Sequence, residues 1–453
     1  MNGKELLLSA LRGERTPRPA WLPFVGTHGA YLNGVPATEY LQSADQLVAG
    51  LEKAKALYKP DGLPITFDLQ MEAEILGCQL HWADDGPPSV MDHPLESGTL
   101  ADLPEYSTDQ GRFPIVAEAM ARLKSSIGAD TALYGLITGP FTLAMHLRGN
   151  ELFIDMYDDD EAIGKLLDYC VGICEQTAAF YLENGADVIA VVDPMTSQIS
   201  PEHFEEFVAP GLNRTFDFIR EQGGMSSLFV CGDATRNLEK MSQTSCDNLS
   251  IDENISLEYL RELAEANGKS FGGNLKLTTV LLLGTTTDAK LDAIRCIDAC
   301  GEKGFVLAPG CDLPFSVPPE NLEAVAEMVH DEYQRDVARQ TLTAVEEGDS
   351  FEDIARTDYA SLNEIRIDVV TLNSATCAPC QYMVKAATEA AQDLGFPVSV
   401  QEHKINNREG LATMSRLGVS AIPSICIQGK PRFASIIPDK KSLVSAIREE
   451  WKG

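Results

Sequence analysis

The sequence predicts an α/β protein in which a closed (β/α)8 barrel is followed by a smaller α/β domain. Three observations support this fold class. Eight short apolar segments alternate with helical patterns before residue 310, and such alternation is typical of a parallel sheet that closes at eight strands. A second strand–helix pattern begins near Ile365. The length of 453 residues suits two to three domains of ordinary size.

The predicted barrel strands are short apolar runs such as DVIAVV. A strand that is buried on both faces of a parallel sheet has this continuous apolar character. Helical patterns such as SADQLVAGLEKAKALY and SLEYLRELAEANG separate the runs. The eight predicted strands are Trp21–Thr27, Leu63–Phe67, Ala132–Ile137, Asp187–Val192, Ser227–Val230, Asn248–Ile251, Ser270–Gly273 and Gly304–Leu307.

The domain boundaries follow from the pattern after the eighth strand. From Pro318 the chain is helical and then polar until about residue 364, which predicts the last barrel helix and a connector. The strand–helix pattern then starts again with IRIDVVTLN. We therefore expect a barrel over residues 1–330, a helical connector over residues 331–364 and a second domain over residues 365–453.

Chemically active side chains follow most of the predicted strands. The carboxyl ends of barrel strands meet at one face, where barrel enzymes carry their active sites. We select His28, Asp68 and Asp193 as candidate catalytic residues. Pro140 and Asn274 are candidate cofactor contacts. The complete set of strand-end residues is His28, Asp68, Thr138 with Gly139–Pro140, Asp193, Cys231, Asp252–Glu253, Asn274 and Cys311.

Three of these strand-end residues form a candidate metal site. Cys231, Glu253 and Cys311 end the fifth, sixth and eighth predicted strands. Two thiolates and a carboxylate are suitable ligands for Zn²⁺, which lowers the pKa of a bound thiol. The alternative is that both cysteines are core residues, because Cys is among the most frequently buried residue types. The loop sequences VCGDAT and LAPGCDLP favour the metal site over the core.

A Cys-x-x-Cys motif, Cys377 to Cys380, lies between a predicted strand and a predicted helix. The free N–H groups and dipole of a helix N-terminus stabilise a thiolate and lower the thiol pKa. One thiol can then attack a disulfide, and the other can resolve the mixed disulfide. The alternative, half of a zinc site, lacks a second cysteine pair with suitable spacing nearby. Cys377 and Cys380 are therefore predicted to be a catalytic dithiol.

The composition restricts the partners and the compartment. The formal net charge of −32 repels phosphate, so we expect neither nucleic acid nor an anionic membrane surface as a partner. No apolar run approaches the ~18 residues that span a bilayer, and the N-terminal apolar run is too short for a signal peptide. Eleven scattered cysteines indicate free thiols in a reducing compartment. We expect a cytoplasmic protein.

Several motifs occur in order along residues 1 to about 330: ITFDLQMEAEILGC, GLITGPFTLAMHLRG, DPMTSQISPEHFEEFVAPGL, VCGDATRNLEKM, SIDENISLEYL and GFVLAPGCDLPFSVPPENLEAV. This region resembles the uroporphyrinogen decarboxylase superfamily, and within it the branch of methylcobamide:thiol methyltransferases. The resemblance implies a TIM barrel that binds zinc through a His-x-Cys pair and a distant Cys. In this chain Cys231 matches the cysteine of the pair and Cys311 matches the distant cysteine. Glu253 is a further ligand candidate by analogy with zinc-dependent methionine synthases. The metal then holds a thiol substrate as thiolate, which takes a methyl group from a corrinoid carried by a partner protein.

Phe229 departs from this pattern, because the methyltransferase branch has His two residues before the first cysteine. A benzyl side chain cannot bind zinc. Three explanations remain open: a substitute ligand such as His28 or Asp193, weak metal binding, or changed chemistry. Two cysteines and one glutamate still give three ligands. Zinc is therefore the expected cofactor.

The segments TLNSATCAPCQYMVKAATEAA and GVSAIPSICIQG resemble a thioredoxin-like domain over residues 366–453. The resemblance implies that Pro423 is a cis proline beside the Cys377/Cys380 dithiol. The motif is Cys-Ala-Pro-Cys rather than the Cys-Gly-Pro-Cys of thioredoxin, and no Trp precedes it. These departures indicate a dedicated reductant or a glutaredoxin-like variant, and a degenerate docking module is the alternative.

These observations favour a corrinoid-dependent methyltransferase. It moves a methyl group between a methylcobamide on a corrinoid protein and a small thiol or folate-like acceptor, with a metal-activated thiolate and a tethered redox dithiol. One alternative is a tetrapyrrole enzyme of the uroporphyrinogen decarboxylase type, but FVGTHGAYLNG lacks the arginines with which that enzyme binds carboxylates. The other is a redox-regulated corrinoid- or tetrapyrrole-binding protein whose dithiol performs the only chemistry.

Overall fold

The computed structural model describes residues 1–342, 351, 354–392, 394–419 and 421–451. The chain divides into two compact units, Met1–Ala344 and Val345–Gly453. The first unit contains an eight-stranded parallel sheet and the second a four-stranded mixed sheet. The predicted fold class, a TIM barrel followed by a small α/β domain, is confirmed.

The barrel strands follow each other around the sheet in chain order. They are β1 Ala20–Trp21, β2 Gly62–Pro64, β3 Ala132–Thr138, β4 Val188–Val192, β5 Met225–Val230, β6 Asn248–Ile251, β7 Ser270–Leu275 and β8 Phe305–Pro309. The strand order is β1-β8-β7-β6-β5-β4-β3-β2, and every neighbouring pair is parallel. All carboxyl ends therefore face the same way.

The two ends of this sheet meet between β1 and β2. The Asp61 N–H donates a hydrogen bond of 2.9 Å to the Trp21 carbonyl, and the Trp21 N–H donates one of 2.8 Å to the Asp61 carboxylate. Arg18 donates two further hydrogen bonds, of 2.6 and 2.8 Å, to the same carboxylate. One buried aspartate therefore joins the first strand to the second and closes the barrel.

The observed strands lie at all eight predicted places, but several strand ends differ, among them those of β1 and β7. β1 stops at Trp21 because Pro23 has no N–H to continue the ladder. β7 runs on to Leu275 because Asn274 and Leu275 pair with the last two residues of β8. Asn274 therefore lies inside its strand and not beyond it, which corrects its predicted position.

Helices follow most of the strands. The α-helices of the first unit are Gly3–Leu11, His28–Asn33, Ala37–Tyr40, Ala44–Tyr58, Met71–Ile75, Phe113–Ser126, Pro140–Arg148, Glu151–Asp158, Asp160–Glu183, Pro201–His203, Ala209–Glu221, Leu238–Ser242, Leu257–Ala266, Thr286–Cys300, Pro319–His330 and Glu332–Thr341. Shorter 3₁₀ or π segments are Leu100–Asp102, Pro194–Gln198, Phe204–Val208, Thr235–Asn237 and Leu277–Leu282. A two-stranded antiparallel ribbon pairs Leu80–His81 with Ser89–Val90. Among the described residues no helix combines the length and apolarity that a membrane span needs.

Alternate residues of the barrel strands fill the interior. In β4, for example, Val188, Ala190 and Val192 belong to the central cluster of buried side chains, as does Leu136 of β3. This alternation is the pattern that a barrel interior requires. The intervening residues are also buried, because helices cover the outer face of the sheet. The core therefore continues from inside the barrel to the surrounding helices.

The second unit is a mixed sheet with helices on both faces. Its strands are β9 Ile365–Thr371, β10 Val398–Lys404, β11 Ser424–Ile427 and β12 Lys430–Ala434, in the order β10-β9-β11-β12. β9 is parallel to β10 and antiparallel to β11, which is antiparallel to β12. Its α-helices are Ala378–Gln392, Arg408–Arg416 and Lys440–Glu450, and a 3₁₀ turn spans Tyr359–Ser361.

The predicted connector over residues 331–364 is described only in part. Helix Glu332–Thr341 belongs to the first unit. Residues 343–350 and 352–353 lie outside the described residues. The boundary between barrel and connector stays a prediction.

Candidate active site

Two thiols from separate strands meet at the carboxyl end of the barrel. Cys231 directly follows β5, and Cys311 lies two residues beyond β8. Both are half-buried free cysteines. The pKa of Cys231 is raised well above its ordinary value, first by the hydrogen bond that it shares with the Cys311 thiol and then by burial. We call these two residues the barrel thiol pair.

Three phenylalanines belong to the buried cluster against which the barrel thiol pair packs. The rings of Phe24 and Phe229 stack with their centroids 4.7 Å apart, and each is 5.9 Å from the Phe67 ring in an edge-on contact. All three side chains are buried. We call this group the aromatic floor. Phe229 thus fills the barrel at the place where the methyltransferase branch has a histidine.

Glu253 is engaged by the loop after β7. Its carboxylate accepts a short hydrogen bond from the N–H of Leu277, just beyond β7. Burial, and then the charge of Asp252, raises the pKa of Glu253 to about 8. A Cβ atom added at Gly310 would lie 2.5 Å from the Glu253 backbone nitrogen. The loop that carries Cys311 therefore passes against the Glu253 backbone, and only glycine fits there.

The three predicted zinc ligands are not brought together as one group. Among the described residues, no three side chains of His, Cys, Asp or Glu are arranged so that they could hold a metal ion. Catalytic zinc sites use three protein ligands, so the two thiols of Cys231 and Cys311 fall short by one. The residues present therefore do not fit a zinc site in this structure, and zinc binding stays a prediction.

His28 does not supply the missing ligand. Its Nε2 is 2.7 Å from the Tyr58 hydroxyl and its Nδ1 is 3.0 Å from the Phe315 carbonyl, so both ring nitrogens are engaged. Burial lowers the pKa of His28 to about 4, and the ring is neutral at pH 7. His28 therefore fixes the loop after β8, and its predicted catalytic role stays untested.

Asp193 holds the start of a helix. Its carboxylate accepts hydrogen bonds from the Thr142 N–H at 2.7 Å, the Thr142 hydroxyl at 2.6 Å and the Phe141 N–H at 3.2 Å. Helix Pro140–Arg148 begins with Pro140, whose missing N–H needs no partner in the first turn. Burial raises the pKa of Asp193 to about 6. In this structure both residues serve the helix start, and their predicted site roles remain predictions.

Asp68 forms a buried ion pair that the sequence interpretation missed. Arg112 donates from Nη1 to the Asp68 carboxylate and from Nε to Glu74 at 2.8 Å, and its guanidinium lies 4.9 Å from the centre of the Trp82 ring. Arg112 is 6% exposed and Asp68 2% exposed. The Gln70 N–H also donates to Asp68 at 2.9 Å. The sequence signal for this ion pair was a single arginine, Arg112, in the polar stretch YSTDQGRFP. The partners of this arginine lie about forty residues earlier in the chain.

Asn274 is committed to the framework. Its amide nitrogen donates to the carbonyls of Asp252 at 3.2 Å and Ile255 at 2.7 Å. Arg295 donates to the Asn274 side-chain oxygen at 3.3 Å. The Gly273–Asn274 peptide bond is cis. These contacts tie β7 to the loop after β6, and a role for Asn274 as a cofactor contact stays a prediction.

Glu72 is a buried carboxyl group that also escaped the sequence interpretation. It is 2% exposed and accepts hydrogen bonds from the Thr138 N–H at 3.0 Å and the Thr138 hydroxyl at 2.8 Å. Burial raises its pKa from the ordinary 4.5 to about 7. Glu72 lies four residues after Asp68 in the motif ITFDLQMEAEILGC, and this position could have marked it as a candidate site residue. Glu72 links the segment after β2 to the end of β3.

Glu72 gives a pH-dependent contribution to stability. Because its pKa rises from 4.5 in the unfolded chain to about 7 in the folded one, the folded state binds more protons between these values. We expect the free energy of unfolding of the wild type, relative to Glu72→Gln, to fall by ~3 kcal/mol between pH 4.5 and 7 and then to level off. Chemical denaturation of both proteins across this range measures the difference. A difference that does not change with pH would contradict the assigned protonation.

The second unit carries the Cys-x-x-Cys pair as a disulfide between Cys377 and Cys380. Cys377 is half-buried and immediately precedes helix Ala378–Gln392, whereas Cys380 is buried within its first turn. The Ile422–Pro423 peptide bond is cis. This arrangement gives an accessible sulfur at a helix N-terminus and a protected one behind it.

Comparison with known proteins gives two family matches. Residues 2–332 match the uroporphyrinogen decarboxylase (URO-D) family, and residues 365–448 match a thioredoxin domain. The methylcobamide:CoM methyltransferase MtbA of Methanosarcina acetivorans is 28% identical over 332 residues, which are 72% of this chain and 96% of that protein. The uroporphyrinogen decarboxylase of a Synechococcus strain is 25% identical over 345 residues, 70% of this chain and 93% of that protein.

A solved structure shows the same fold. A methyltransferase from Methanosarcina mazei matches with a TM-score of 0.68 at 24% identity, covering 74% of this chain and 99% of that one. This structure confirms the fold, while the two family matches and the similarity to MtbA confirm the predicted resemblance to both families and to the methyltransferase branch of the first.

Proposed function

Because the chain belongs to the uroporphyrinogen decarboxylase family through residues 2–332, we propose that it is a methyltransferase of that family. It takes a methyl group from a methylcobamide carried by a corrinoid protein and transfers it to a small thiol. The barrel thiol pair at the carboxyl end of the strands, in a chain that spans 96% of a methylcobamide:CoM methyltransferase, carries this proposal. A folate-like acceptor remains the second choice, since nothing at the pair favours it.

The acidic surroundings of the pair count against the decarboxylase alternative. Asp252 and Asp312 lie close enough to Cys231 to raise its pKa further. The buried Arg112 already contacts two carboxylates, Asp68 and Glu74. A polycarboxylate tetrapyrrole would meet far more like charge in this environment than a small thiol with one or two negative charges.

We assign the barrel thiol pair to positioning the acceptor sulfur above the aromatic floor. The acceptor thiol must lose its proton to attack the methyl group, because the thiolate is the nucleophile. No step is proposed through zinc, because two thiols alone do not complete a zinc site.

The test is methyl transfer from free methylcobalamin to small thiols, with 2-mercaptoethanesulfonate among them. Loss of methylcobalamin absorbance and formation of the thioether measure turnover. We expect Cys231→Ser and Cys311→Ser each to lower kcat/KM by about 100-fold, because the acceptor sulfur loses its fixed position.

Cys300→Ala is the matched control, because Cys300 is a buried free thiol at the end of the outer helix Thr286–Cys300. It should keep wild-type turnover. Equal activity in all three variants would remove the barrel thiol pair from the mechanism. Absence of transfer to any thiol, together with decarboxylation of uroporphyrinogen, would replace the proposed function with the alternative.

A further inference from the structure

The eleven cysteines, all within the described residues, fall into three classes. Seven are buried free thiols. Cys231 and Cys311 are free and half-buried, and Cys377 and Cys380 form a disulfide. Thiol–disulfide exchange requires access to the attacked sulfur. Among the free cysteines, only Cys231 and Cys311 are not fully buried, so they are the free thiols that a second dithiol would reach with the least opening of the fold.

The barrel thiol pair is arranged to form a disulfide of its own. Cys231 and Cys311 both pack against the same buried cluster inside the barrel, and each thiol influences the other electrostatically. The aromatic floor offers no metal ligand, and no third ligand completes a metal group among the described residues. Two adjacent thiols that no metal protects are open to oxidation.

The second unit provides the matching reductant. In its reduced form, Cys377 is the accessible sulfur at the N-terminus of helix Ala378–Gln392, and Cys380 is buried behind it. Cys377 is therefore the attacking thiol and Cys380 the resolving thiol. Because both pairs belong to one polypeptide, exchange within a chain would be independent of protein concentration, whereas exchange between copies would be proportional to it.

We propose that the Cys377/Cys380 dithiol reduces a Cys231–Cys311 disulfide in the barrel of the same chain, which gives the protein a second activity as a disulfide reductase acting on itself. The inference goes beyond methyl transfer and concerns only the two cysteine pairs. It assigns a substrate to the dithiol, namely the oxidised form of the barrel thiol pair.

The proposed redox reaction has two stages, oxidation of the barrel thiol pair and then thiol–disulfide exchange. A peroxide oxidises one barrel thiol to a sulfenic acid and releases water, and the second thiol displaces another water to form the disulfide. The Cys377 thiolate then attacks one barrel sulfur and forms a mixed disulfide, while the other barrel sulfur leaves as a thiolate and takes up a proton. Cys380 attacks Cys377, which releases the second barrel thiol and leaves the Cys377–Cys380 disulfide. Two electrons move from one pair to the other, and an external dithiol restores Cys377 and Cys380.

The experiment uses the full chain, fully reduced and freed of reductant under anaerobic conditions, with one equivalent of hydrogen peroxide. Acid quenching, alkylation and peptide mapping follow each disulfide with time. We expect the wild type to end with the Cys377–Cys380 disulfide. In the Cys377→Ser/Cys380→Ser variant, the Cys231–Cys311 disulfide should last about 100-fold longer.

Two single variants make the test specific. Cys380→Ser keeps the attacking thiol but lacks the resolving one, so it should accumulate a mixed disulfide between Cys377 and Cys231 or Cys311. Cys377→Ser is its matched control and should form no mixed disulfide. The rate of exchange in the wild type should not change when the protein concentration is varied tenfold.

Three outcomes would overturn the inference. One is that no Cys231–Cys311 disulfide forms in the double variant. Another is that this disulfide lasts equally long in the wild type and the double variant. The third is a rate proportional to protein concentration, which would indicate exchange between copies. Because these measurements involve no corrinoid, their result is independent of whether the protein transfers methyl groups.

Discussion

Replacing Arg112 with leucine is expected to lower the free energy of unfolding of the barrel by about 3–5 kcal/mol. Arg112 is buried and contacts the carboxylates of Asp68 and Glu74. Its removal leaves Asp68, which is 2% exposed, as a buried charge without its cation. The loss of such a partner is costly because the low-dielectric interior cannot replace the solvation that the charge gave up on folding. Denaturant unfolding of the full chain measures the change.

Arg122→Leu is the matched control, because Arg122 lies ten residues further along, within helix Phe113–Ser126. Its guanidinium is exposed and pairs with Asp45 at 2.7 Å on the surface. We expect little change in stability, because solvent screens exposed ion pairs. A second variant, Asp68→Asn with Arg112→Leu, should recover part of the loss by removing the unpaired charge. Equal effects of Arg112→Leu and Arg122→Leu would contradict the buried pairing.

Replacing Phe229 with alanine is expected to destabilise the barrel by about 3–5 kcal/mol. Phe229 is fully buried and stacks on Phe24 with centroids 4.7 Å apart. Its removal leaves a cavity in the aromatic floor, and the strands around the floor cannot close in to fill it. The thiols of Cys231 and Cys311 also lose the surface against which they pack. Thermal or denaturant unfolding measures the destabilisation.

The variant Phe229→Leu separates the effect of lost buried volume on stability from the effect of the lost aromatic ring. Leucine keeps most of the buried volume, so we expect less than half the effect of alanine. The rate at which Cys231 and Cys311 react with an alkylating reagent serves as a second measurement, and it should rise more in Phe229→Ala than in Phe229→Leu. A destabilisation below about 1 kcal/mol for the alanine variant would show that the floor is not a packed layer.

The barrel could be predicted because its signal is local and repeated. A run such as VIAVV in β4 is apolar throughout, as burial on both faces of a parallel strand demands. The ends of the strands were harder to predict, because the point where a strand ends depends on the strand next to it in the sheet. β7 is extended to Leu275 by pairing with β8, which the sequence of β7 alone does not indicate.

The site was predictable as far as strand position determines it. Cys231 and Cys311 meet because the carboxyl ends of parallel strands share one face. The direction of the Glu253 side chain depends instead on the Leu277 N–H, a single backbone donor in the following loop. Arg112 was missed for a similar reason, because the contact with Asp68 joins residues that are 44 positions apart. Phe229 was recognised as a departure from the pattern, but its place in the aromatic floor follows only from β5 together with the segments after β1 and β2.

The strand order of the barrel also bears on the synthesis of the chain. Each of the strands β3 to β8 pairs with the strand made just before it, so the sheet can grow as the polypeptide leaves the ribosome. β1 is the exception, because Ala20 pairs with Val306 and Trp21 with Leu307. The first strand to be made can therefore pair with β8 only after nearly three hundred more residues have been translated. During that interval the edge of β1 that later pairs with β8 has no partner strand.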